Sequence, residues 1–403
     1  MTTLITGARL IDGTGRDPVD PGAIRVGTRI VAVGSARAVR ASRSDSIVID
    51  VEGRSVLPAL IDCHASMGAL RPEERPDGIT EKAIGFSVAR AVANGRKSLD
   101  GGVTTVRVDT VAHHALFAVR DVFAAGWLDG PRMLVPGRAI TTTGGHAWKG
   151  GAREADGPDA MRKAVREEIK AGADWIKLMP TGGAGTANEE VDEWQMAPDE
   201  IAAAVDAAHR RRRRVFAHVS NADAARACAA AGVDSIEHGF YLSEDALTEM
   251  KEHGTFFVPT LSAYRHLVKA SQQRPSTTDP YEAALQKTAL EVVERHARSF
   301  RAALALGVRI AAGTDSGADW FPMGNSLQFE LELMVSEGMT NADAVAAATR
   351  DAADLLGLRS DLGTLEAGKL ADILVVDGDP LVDVSVLRKP WLVMKEGRVV
   401  FRA

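Results

Sequence analysis

Residues 214–238, RVFAHVSNADAARACAAAGVDSIEH, contain two short apolar runs separated by an alanine-rich stretch. The runs at 214–218 and 235–238 have the length and apolar content of buried β-strands, and residues 221–230 between them are typical of a helix. A strand, a helix and a second strand in this order predict a parallel βαβ unit. Each run ends in a histidine, so His218 and His238 are expected at the same, carboxyl edge of a parallel sheet.

The same alternation continues on both sides of this unit. Strands are predicted at 56–62, 104–108, 132–135, 175–178, 214–218, 235–238, 256–259 and 310–314. Helices are predicted at 81–100, 158–171, 198–212, 221–230, 281–306 and 340–356. Eight strands that alternate with helices indicate an α/β protein of the (β/α)8 TIM-barrel class. An open doubly wound sheet is the alternative, which is disfavoured because no Gly-x-Gly-x-x-Gly follows a strand.

The two ends of the chain differ from its middle. Both contain short β-like runs separated by turn signals such as Asp12-Gly13 and Glu396-Gly397. Neither end has enough strands for a stable sheet of its own. We therefore expect residues 1–57 and 358–403 to form one composite, small β-sandwich domain, and residues 58–357 to form the barrel.

Composition and charge narrow the class of protein. The 403 residues carry a formal net charge of −6, and the sequence pI is about 6.0. These values argue against nucleic acid or an anionic membrane as a partner. No apolar stretch predicts a membrane span or a signal peptide. The two cysteines, Cys63 and Cys228, do not suggest a disulfide framework, so a cytoplasmic location is expected.

Residues able to bind a metal stand at five predicted strand ends. They are His64, Lys177, His218, His238 and Asp315. Each alone has an ordinary explanation, such as a hydrogen-bonded histidine or a helix cap for the aspartate. Together they lie where the catalytic residues of a barrel converge, and imidazole with carboxylate suits Zn²⁺ and related divalent ions. The pattern therefore predicts a metal site.

Motifs along nearly the whole chain resemble the amidohydrolase superfamily, in its imidazolonepropionase-like and Xaa-Pro dipeptidase-like branch. They are LPALIDCH (57–64), GVTTVR (102–107), GGH (144–146), GADWIK (172–177), AH (217–218), IEHG (236–239), VPTL (258–261), AGTD (312–315) and GTLEAGKLAD (363–372). As a set they are specific for the superfamily and not for a substrate. The resemblance implies a metal-dependent hydrolase.

The resemblance also implies a role for each matching residue. His64 would ligate the more buried metal, and Lys177, carboxylated by CO₂, would bridge two metals. His218 and His238 would ligate the second metal. Asp315 would contact the first metal and act as the catalytic proton shuttle. Two further roles concern the substrate: His146 would hold its carbonyl or developing oxyanion as a catalytic and substrate-binding residue, and Tyr241 is a weaker substrate-binding candidate.

One departure from the family pattern concerns the first strand. The family has His-x-His there, whereas this chain has His64-Ala65-Ser66. A neutral hydroxyl is a poor replacement for imidazole on Zn²⁺, so one bound metal is expected rather than two. That metal would be held by carboxylated Lys177, His218 and His238, or by His64, His218, His238 and Asp315. An inactive protein is the remaining alternative. Ala59, which stands where the family has glycine, is a smaller departure.

The expected reaction is hydrolysis of an amide C–N bond in a peptide or acyl-amino-acid-like substrate, by metal-activated water. Ser66 and the loop after Gly145 suggest a specialised substrate. One candidate is a modified natural-product (RiPP) precursor of the bottromycin pathway, whose amidohydrolase resembles this branch and removes a follower peptide; no residue of the sequence specifies this choice. Two alternatives stay open: a cyclic-amide hydrolase or deaminase of the imidazolonepropionase-like kind, and a non-catalytic binding protein on the same fold. The family resemblance further suggests a homo-oligomer.

Overall fold

The structure is a computed structural model that describes residues 2–40, 46–70, 74, 77–110, 112–184, 189–273, 280–318 and 320–403. Its strands are β1 Thr2–Leu10, β2 Val19–Val26, β3 Ile30–Ser35, β4 Ser46–Asp50, β5 Ser55–Pro58, β6 Leu60–Ala65, β7 Val103–Val108, β8 Arg132–Leu134, β9 Ile140–Thr141, β10 Arg153–Glu154, β11 Trp175–Leu178, β12 Arg214–Asn221, β13 Ser235–Tyr241, β14 Phe256–Val258, β15 Ile373–Val376, β16 Pro390–Lys395 and β17 Arg398–Arg402.

Its helices are α1 Ala36–Arg40, α2 Glu81–Asp100, α3 Leu116–Ala124, α4 Pro158–Ala171, α5 Pro198–His209, α6 Ala222–Ala231, α7 Glu244–His253, α8 Leu261–Gln273, α9 Pro280–Leu306, α10 Ser326–Ser336, α11 Asn341–Ala347 and α12 Arg350–Leu355. Two short 3₁₀ turns lie at Trp148–Gly150 and Val384–Arg388. Within the described residues, no helix is long and apolar enough to cross a membrane.

The βαβ unit at 214–238 forms as the sequence predicts. β12 and β13 pair in parallel, with His218 opposite Glu237. Helix α6 between them begins after Asn221, whose side chain accepts a hydrogen bond from the Ala224 amide, and ends at Gly232. Gly232 has a φ of 87°, a conformation that glycine adopts without steric cost. Because both strands are fully buried along most of their length, they belong to the interior of a sheet that helices cover.

The barrel consists of two hydrogen-bonded sheets and one irregular segment. One sheet has the order β6-β7-β8 and the other β10-β9-β11-β12-β13-β14. Residues 310–316 join them, because Ile310 pairs with Phe257 and Ser316 pairs with Ala65. At the other junction between the two sheets, the backbone amide of Asp174, just before β11, donates a hydrogen bond to the carbonyl of Val135, just after β8. The predicted (β/α)8 barrel is therefore confirmed.

Two predicted strands differ in detail from the structure. The strand expected at 56–62 divides at Ala59: β5 pairs with β15 of the small domain, and β6 enters the barrel. The strand expected at 310–314 makes isolated bridges instead of a regular ladder. Gly313 contributes to this irregular pairing, because a Cβ added at this position would stand 2.8 Å from the Cβ of His64. The chain approaches the first strand too closely there for a side chain.

The small domain is built from both ends of the chain. Its strands follow the order β17-β16-β15-β5-β1-β2-β3, and β4 also pairs with β1. Strand β5 is parallel to β1 and antiparallel to β15, so it links the N-terminal and C-terminal strands. Buried apolar side chains from both ends, including Ile5, Ile24 and Ile373, form its core. The expected small β domain from the two termini is confirmed, while its boundaries at residues 57 and 358 stay a prediction.

Candidate metal centre

The five predicted metal-binding side chains line one cavity of about 240 Å³ at the carboxyl ends of the barrel strands. They are His64, Lys177, His218, His238 and Asp315, on β6, β11, β12, β13 and the segment 310–316 respectively. Three of them come closest together: His64, His238 and Asp315 each present a ligand atom within 4.8 Å of the others. Among the described residues this is the one such group of histidine, cysteine and carboxylate side chains.

His64 is oriented by a buried carboxylate. The side chain is 2% exposed, and its Nδ1–H donates to Oε2 of Glu237 at 2.6 Å. The other ring nitrogen, Nε2, therefore faces the cavity, where it lies 3.8 Å from Oδ1 of Asp315. A histidine whose Nδ1 proton is held in this way presents a lone pair on Nε2, as a metal ligand must.

Glu237 is in turn held by Arg107, a residue that the sequence analysis did not select. Both side chains are fully buried, and Nη2 of Arg107 donates to Oε1 of Glu237 at 2.9 Å. Arg107 also donates to the Cys63 carbonyl and lies over the rings of Trp175 and Phe216. Burial acts to raise the pKa of Glu237, but the charge of Arg107, the hydrogen bond from His64 and the charges of His64 and Lys177 together lower that pKa to about 2. The carboxylate therefore stays ionised and accepts from both partners.

His238 and Asp315 both adopt left-handed backbone conformations, with φ values of 68° and 58°. Such backbone is unfavourable for residues with side chains and is found preferentially at functional sites. Nδ1 of His238 is hydrogen-bonded to Oγ1 of Thr260 at 2.8 Å. Burial, reinforced by the neighbouring His218 ring, holds the pKa of His238 well below its usual value. The neutral imidazole is the form that binds a metal.

His218 lies beside this group but is turned toward the backbone. Its Nε2 donates to the carbonyl of Gly182 at 2.9 Å, and its ring lies 4.6 Å from that of His238 and 4.4 Å from that of His146. Burial, reinforced by the neighbouring His146 and Lys177 side chains, holds the pKa of His218 well below its usual value. In this conformation Nε2 of His218 is occupied by the Gly182 carbonyl. Its role as a ligand stays a prediction.

Lys177 lies deeper in the same cavity and is only 1% exposed. Its Nζ stands 4.6 Å above the ring centroid of Phe216. Burial lowers the pKa of Lys177 to about 8, although the charge of Glu237 opposes this shift. A substantial fraction of the amine is therefore neutral near physiological pH, which is the form that reacts with CO₂.

Ser66 connects two carboxylates at the position where the first strand lacks a second histidine. Its hydroxyl lies 2.5 Å from Oδ2 of Asp109 and 3.1 Å from Oδ1 of Asp315. Burial and the neighbouring Asp315 raise the pKa of Asp109 to about 6. The sequence analysis missed Asp109, although it follows strand β7 directly and therefore stands at the same edge of the barrel.

His146 is placed by two residues of the segment that follows β11. Its Nδ1–H donates to Oε1 of Glu189 at 2.6 Å, and its backbone amide donates to Gln195. Its ring stacks on His218, and Gly183 packs so closely that an added Cβ would lie 2.5 Å from Cε1 of His146. His146 lines the cavity, and its role in holding the substrate stays a prediction.

Part of the cavity lining is apolar. It includes Tyr264, Leu267 and Leu285, with Trp320 and Lys149 at the same cavity. Tyr241, the weaker substrate-binding candidate, is not among the described residues that line it, and its ring lies instead beside the guanidinium of Arg295. A role for Tyr241 in binding substrate stays a prediction.

The residues present fit a divalent metal. Two imidazoles and one carboxylate with neighbouring ligand atoms are a donor set typical of catalytic Zn²⁺ sites, which use three protein ligands and leave a further position open. The ligand atom of His64 is fixed by a hydrogen bond on its other nitrogen, as is usual for metal-binding histidines. The cavity gives a substrate access to that position.

Residues 55–400 match the Amidohydrolase family. A solved structure of an Xaa-Pro dipeptidase with methionine bound in its active site is 30% identical, with a TM-score of 0.89 and full coverage of both chains. The ochratoxinase of Aspergillus niger is 29% identical over 96% of this chain and 84% of its own length. An imidazolonepropionase of Brucella anthropi is 26% identical over 87% of this chain and 85% of its own length.

The match covers the barrel and most of the C-terminal part of the small domain, and the strand ends within it carry the residues of the candidate metal centre. The chain therefore belongs to the amidohydrolase family and is a hydrolase that acts on carbon–nitrogen bonds.

Proposed function

We propose that this protein hydrolyses the amide bond of a dipeptide or an N-acyl amino acid with the help of one divalent metal ion, for which Zn²⁺ is expected. The observation that carries the proposal is the convergence of His64, His238 and Asp315 within 4.8 Å at the floor of an open cavity. A divalent ion held by these residues supplies Lewis-acid polarisation of a carbonyl group and acidifies a water molecule.

Each polar residue around the site has a distinct task in this proposal. Asp315 accepts a proton from the attacking water and returns it to the leaving amine, as a general base and then a general acid. His146 donates from Nε2 to the carbonyl oxygen as negative charge develops there. Glu189 supports this role because its carboxylate stabilises the positive charge that His146 carries when both ring nitrogens are protonated.

The family resemblance would place Lys177 and His218 at a second metal position, and we propose that one ion suffices here. Ser66 replaces an imidazole that would bind the first metal, and Nε2 of His218 is engaged by Gly182. Full occupancy of two positions would require His218 to exchange its carbonyl partner for the metal.

The shape of the cavity supports a substrate with an apolar side chain. Tyr264, Leu267 and Leu285 contribute apolar surface to the cavity lining, and Lys149 adds a cation that suits a carboxylate. An N-acyl amino acid or a dipeptide combines these groups with an amide bond. A modified natural-product peptide of the bottromycin type stays a prediction that no described contact favours over a dipeptide.

The experiment combines elemental analysis with activity. Purified protein is assayed for bound metals and then for hydrolysis of dipeptides, N-acyl amino acids and cyclic amides, before and after chelation. We expect about one ion per chain and hydrolysis of the linear substrates that chelation abolishes and Zn²⁺ restores. His238→Ala should lose both metal and activity, whereas His114→Ala, at a half-exposed histidine that does not line the cavity, should lose neither.

Several outcomes would overturn the proposal. If hydrolysis continues after the metal has been removed completely, the reaction does not depend on a metal. Preferential cleavage of cyclic amides would favour an imidazolonepropionase-like activity instead, and metal binding without any hydrolysis would favour a binding protein. The cytoplasmic location and the homo-oligomer also stay proposals; two buried, unpaired cysteines support the former, and light scattering of the purified protein tests the latter.

A further inference from the structure

An oxygen-rich cluster lies where the first strand lacks its second histidine. The Ser66 hydroxyl contacts Oδ2 of Asp109 at 2.5 Å and Oδ1 of Asp315 at 3.1 Å. A serine hydroxyl has a single hydrogen and can donate it to only one of the two carboxylates. At the other contact, the oxygen of Ser66 and a carboxylate oxygen therefore face each other without a hydrogen between them. A bound proton or cation would offset the repulsion between these two oxygens.

One carboxylate oxygen in this cluster lacks a proper partner. Oδ1 of Asp109 is buried and has no hydrogen-bond partner of normal geometry among the described residues, although the Thr110 amide is near enough to favour the charged carboxylate. Buried carboxylate oxygens are nearly always hydrogen-bonded or bound to a metal, because leaving one without a partner is costly.

The position of Asp109 connects it to the candidate metal centre. It directly follows strand β7, the neighbour of β6, and it lines the same cavity as His64, Lys177 and Asp315. The Ser66 hydroxyl links the Asp109 carboxylate to Oδ1 of Asp315. This Oδ1 atom lies 3.8 Å from Nε2 of His64. The unpartnered oxygen thus belongs to a carboxylate that the Ser66 hydroxyl links to Asp315. Asp109 lies outside the group of ligand atoms that are within 4.8 Å of one another, so its carboxylate would have to move toward the ion to bind it.

We propose that Asp109, seated by the Ser66 hydroxyl, is a metal-binding carboxylate that replaces the imidazole absent from the first strand. This inference rests on the proposed metal-dependent function. The donor set becomes two imidazole nitrogens, from His64 and His238, and two carboxylates, from Asp109 and Asp315. Carboxylate oxygens suit harder ions such as Mn²⁺ better than imidazole does. In this chain Ser66 and Asp109 take the place of the second first-strand histidine. The site should therefore prefer Mn²⁺ more strongly than a site that has both first-strand histidines.

The test measures affinity for Mn²⁺ and Zn²⁺ by calorimetric titration of metal-free full-length protein. The variants are Asp109→Asn, Ser66→Ala and Ser66→His, and the control is Asp121→Asn, which removes an exposed aspartate on α3. Asp109→Asn should weaken Mn²⁺ binding at least about tenfold and Zn²⁺ binding less, so that the ratio of Zn²⁺ to Mn²⁺ affinity rises. Ser66→His should raise the same ratio by strengthening Zn²⁺ binding, and the control should leave it unchanged.

The outcomes separate this inference from the proposed function. If Asp109→Asn binds both ions as the wild type does, Asp109 is not a ligand, and the metal-dependent function stands without it. If that variant does not fold, as judged by circular dichroism, the two Ser66 variants decide: an unchanged affinity ratio in both overturns the inference. Wild-type protein that binds neither ion would overturn the inference and the proposed function together.

Discussion

Replacing Glu237 with glutamine tests whether the buried Arg107–Glu237–His64 chain prepares the metal site. Glu237 accepts from Arg107 at 2.9 Å and from His64 at 2.6 Å, and neither it nor Arg107 is exposed to solvent. If the amide oxygen of the glutamine faces Arg107, its NH₂ group faces Nδ1 of His64. The histidine must then accept at Nδ1 and carry its proton on Nε2, the nitrogen that should bind the metal.

The opposite orientation of the amide is no better. It places the NH₂ group against the N–H groups of Arg107, so that donor faces donor. In either orientation the buried guanidinium loses its counter-charge. Breaking a buried ion pair by removing one partner costs about 3–5 kcal/mol of stability. Loss of the hydrogen bond that orients a metal-binding histidine lowers metal affinity by about 10–100-fold. We therefore expect Glu237→Gln to lose both stability and metal affinity.

A matched control separates the two effects. Glu168 is equally buried and also bridges a histidine and an arginine, His114 and Arg138, but these partners are 40% and 31% exposed and lie outside the metal site. Glu168→Gln should cost less stability, because water can solvate its partners, and it should leave metal affinity unchanged. Urea unfolding and calorimetric titration measure the two quantities. A Glu237→Gln variant whose metal affinity stays within about twofold of the wild type, or falls no further than that of Glu168→Gln, would refute the orienting role.

Three other predictions follow from single side chains. Ser66→His restores the first-strand histidine pair and should raise the zinc content per chain toward two, measured by elemental analysis; an unchanged content would mean that Ser66 does not limit occupancy. Asp315→Asn removes the proton acceptor and should lower kcat by about 10²–10⁴-fold in a steady-state assay, so retention of wild-type kcat would assign the proton to another residue. Burial raises the pKa of Glu330 to about 7, so the folded protein holds this proton more tightly than the unfolded chain and loses stability as pH rises from about 4.5 to 7. The destabilisation caused by Glu330→Gln should therefore be smaller at pH 8 than at pH 5 in urea unfolding; a difference in the opposite direction would contradict the raised pKa.

The barrel and the positions of its strand ends could be predicted from the sequence because they depend on local patterns. Apolar runs alternate with helical stretches, and the carboxyl ends of parallel strands meet at one edge. This placed His64, Lys177, His218, His238 and Asp315 around one cavity, as the structure has them. The division of the first strand at Ala59 was missed because one apolar run, residues 56–62, serves two domains.

The hydrogen bonds within the site could not be predicted in the same way. Arg107 and Glu237 are 130 residues apart, and their pairing depends on how β7 and β13 face each other across the barrel. A signal existed, because both are charged residues inside strands predicted to be buried, where an unpaired charge is costly. The orientation of His218 depends on the path of the backbone at Gly182, which no local pattern specifies.

Anomalous X-ray scattering from crystals of the metal-loaded protein locates the bound ion directly. We expect a peak at the zinc or manganese edge about 2.0–2.3 Å from Nε2 of His64 and from the nearest ligand atoms of His238 and Asp315. An active, metal-loaded crystal with no anomalous peak between these three side chains would contradict the assignment of the metal, and with it the proposed chemistry, to this end of the barrel.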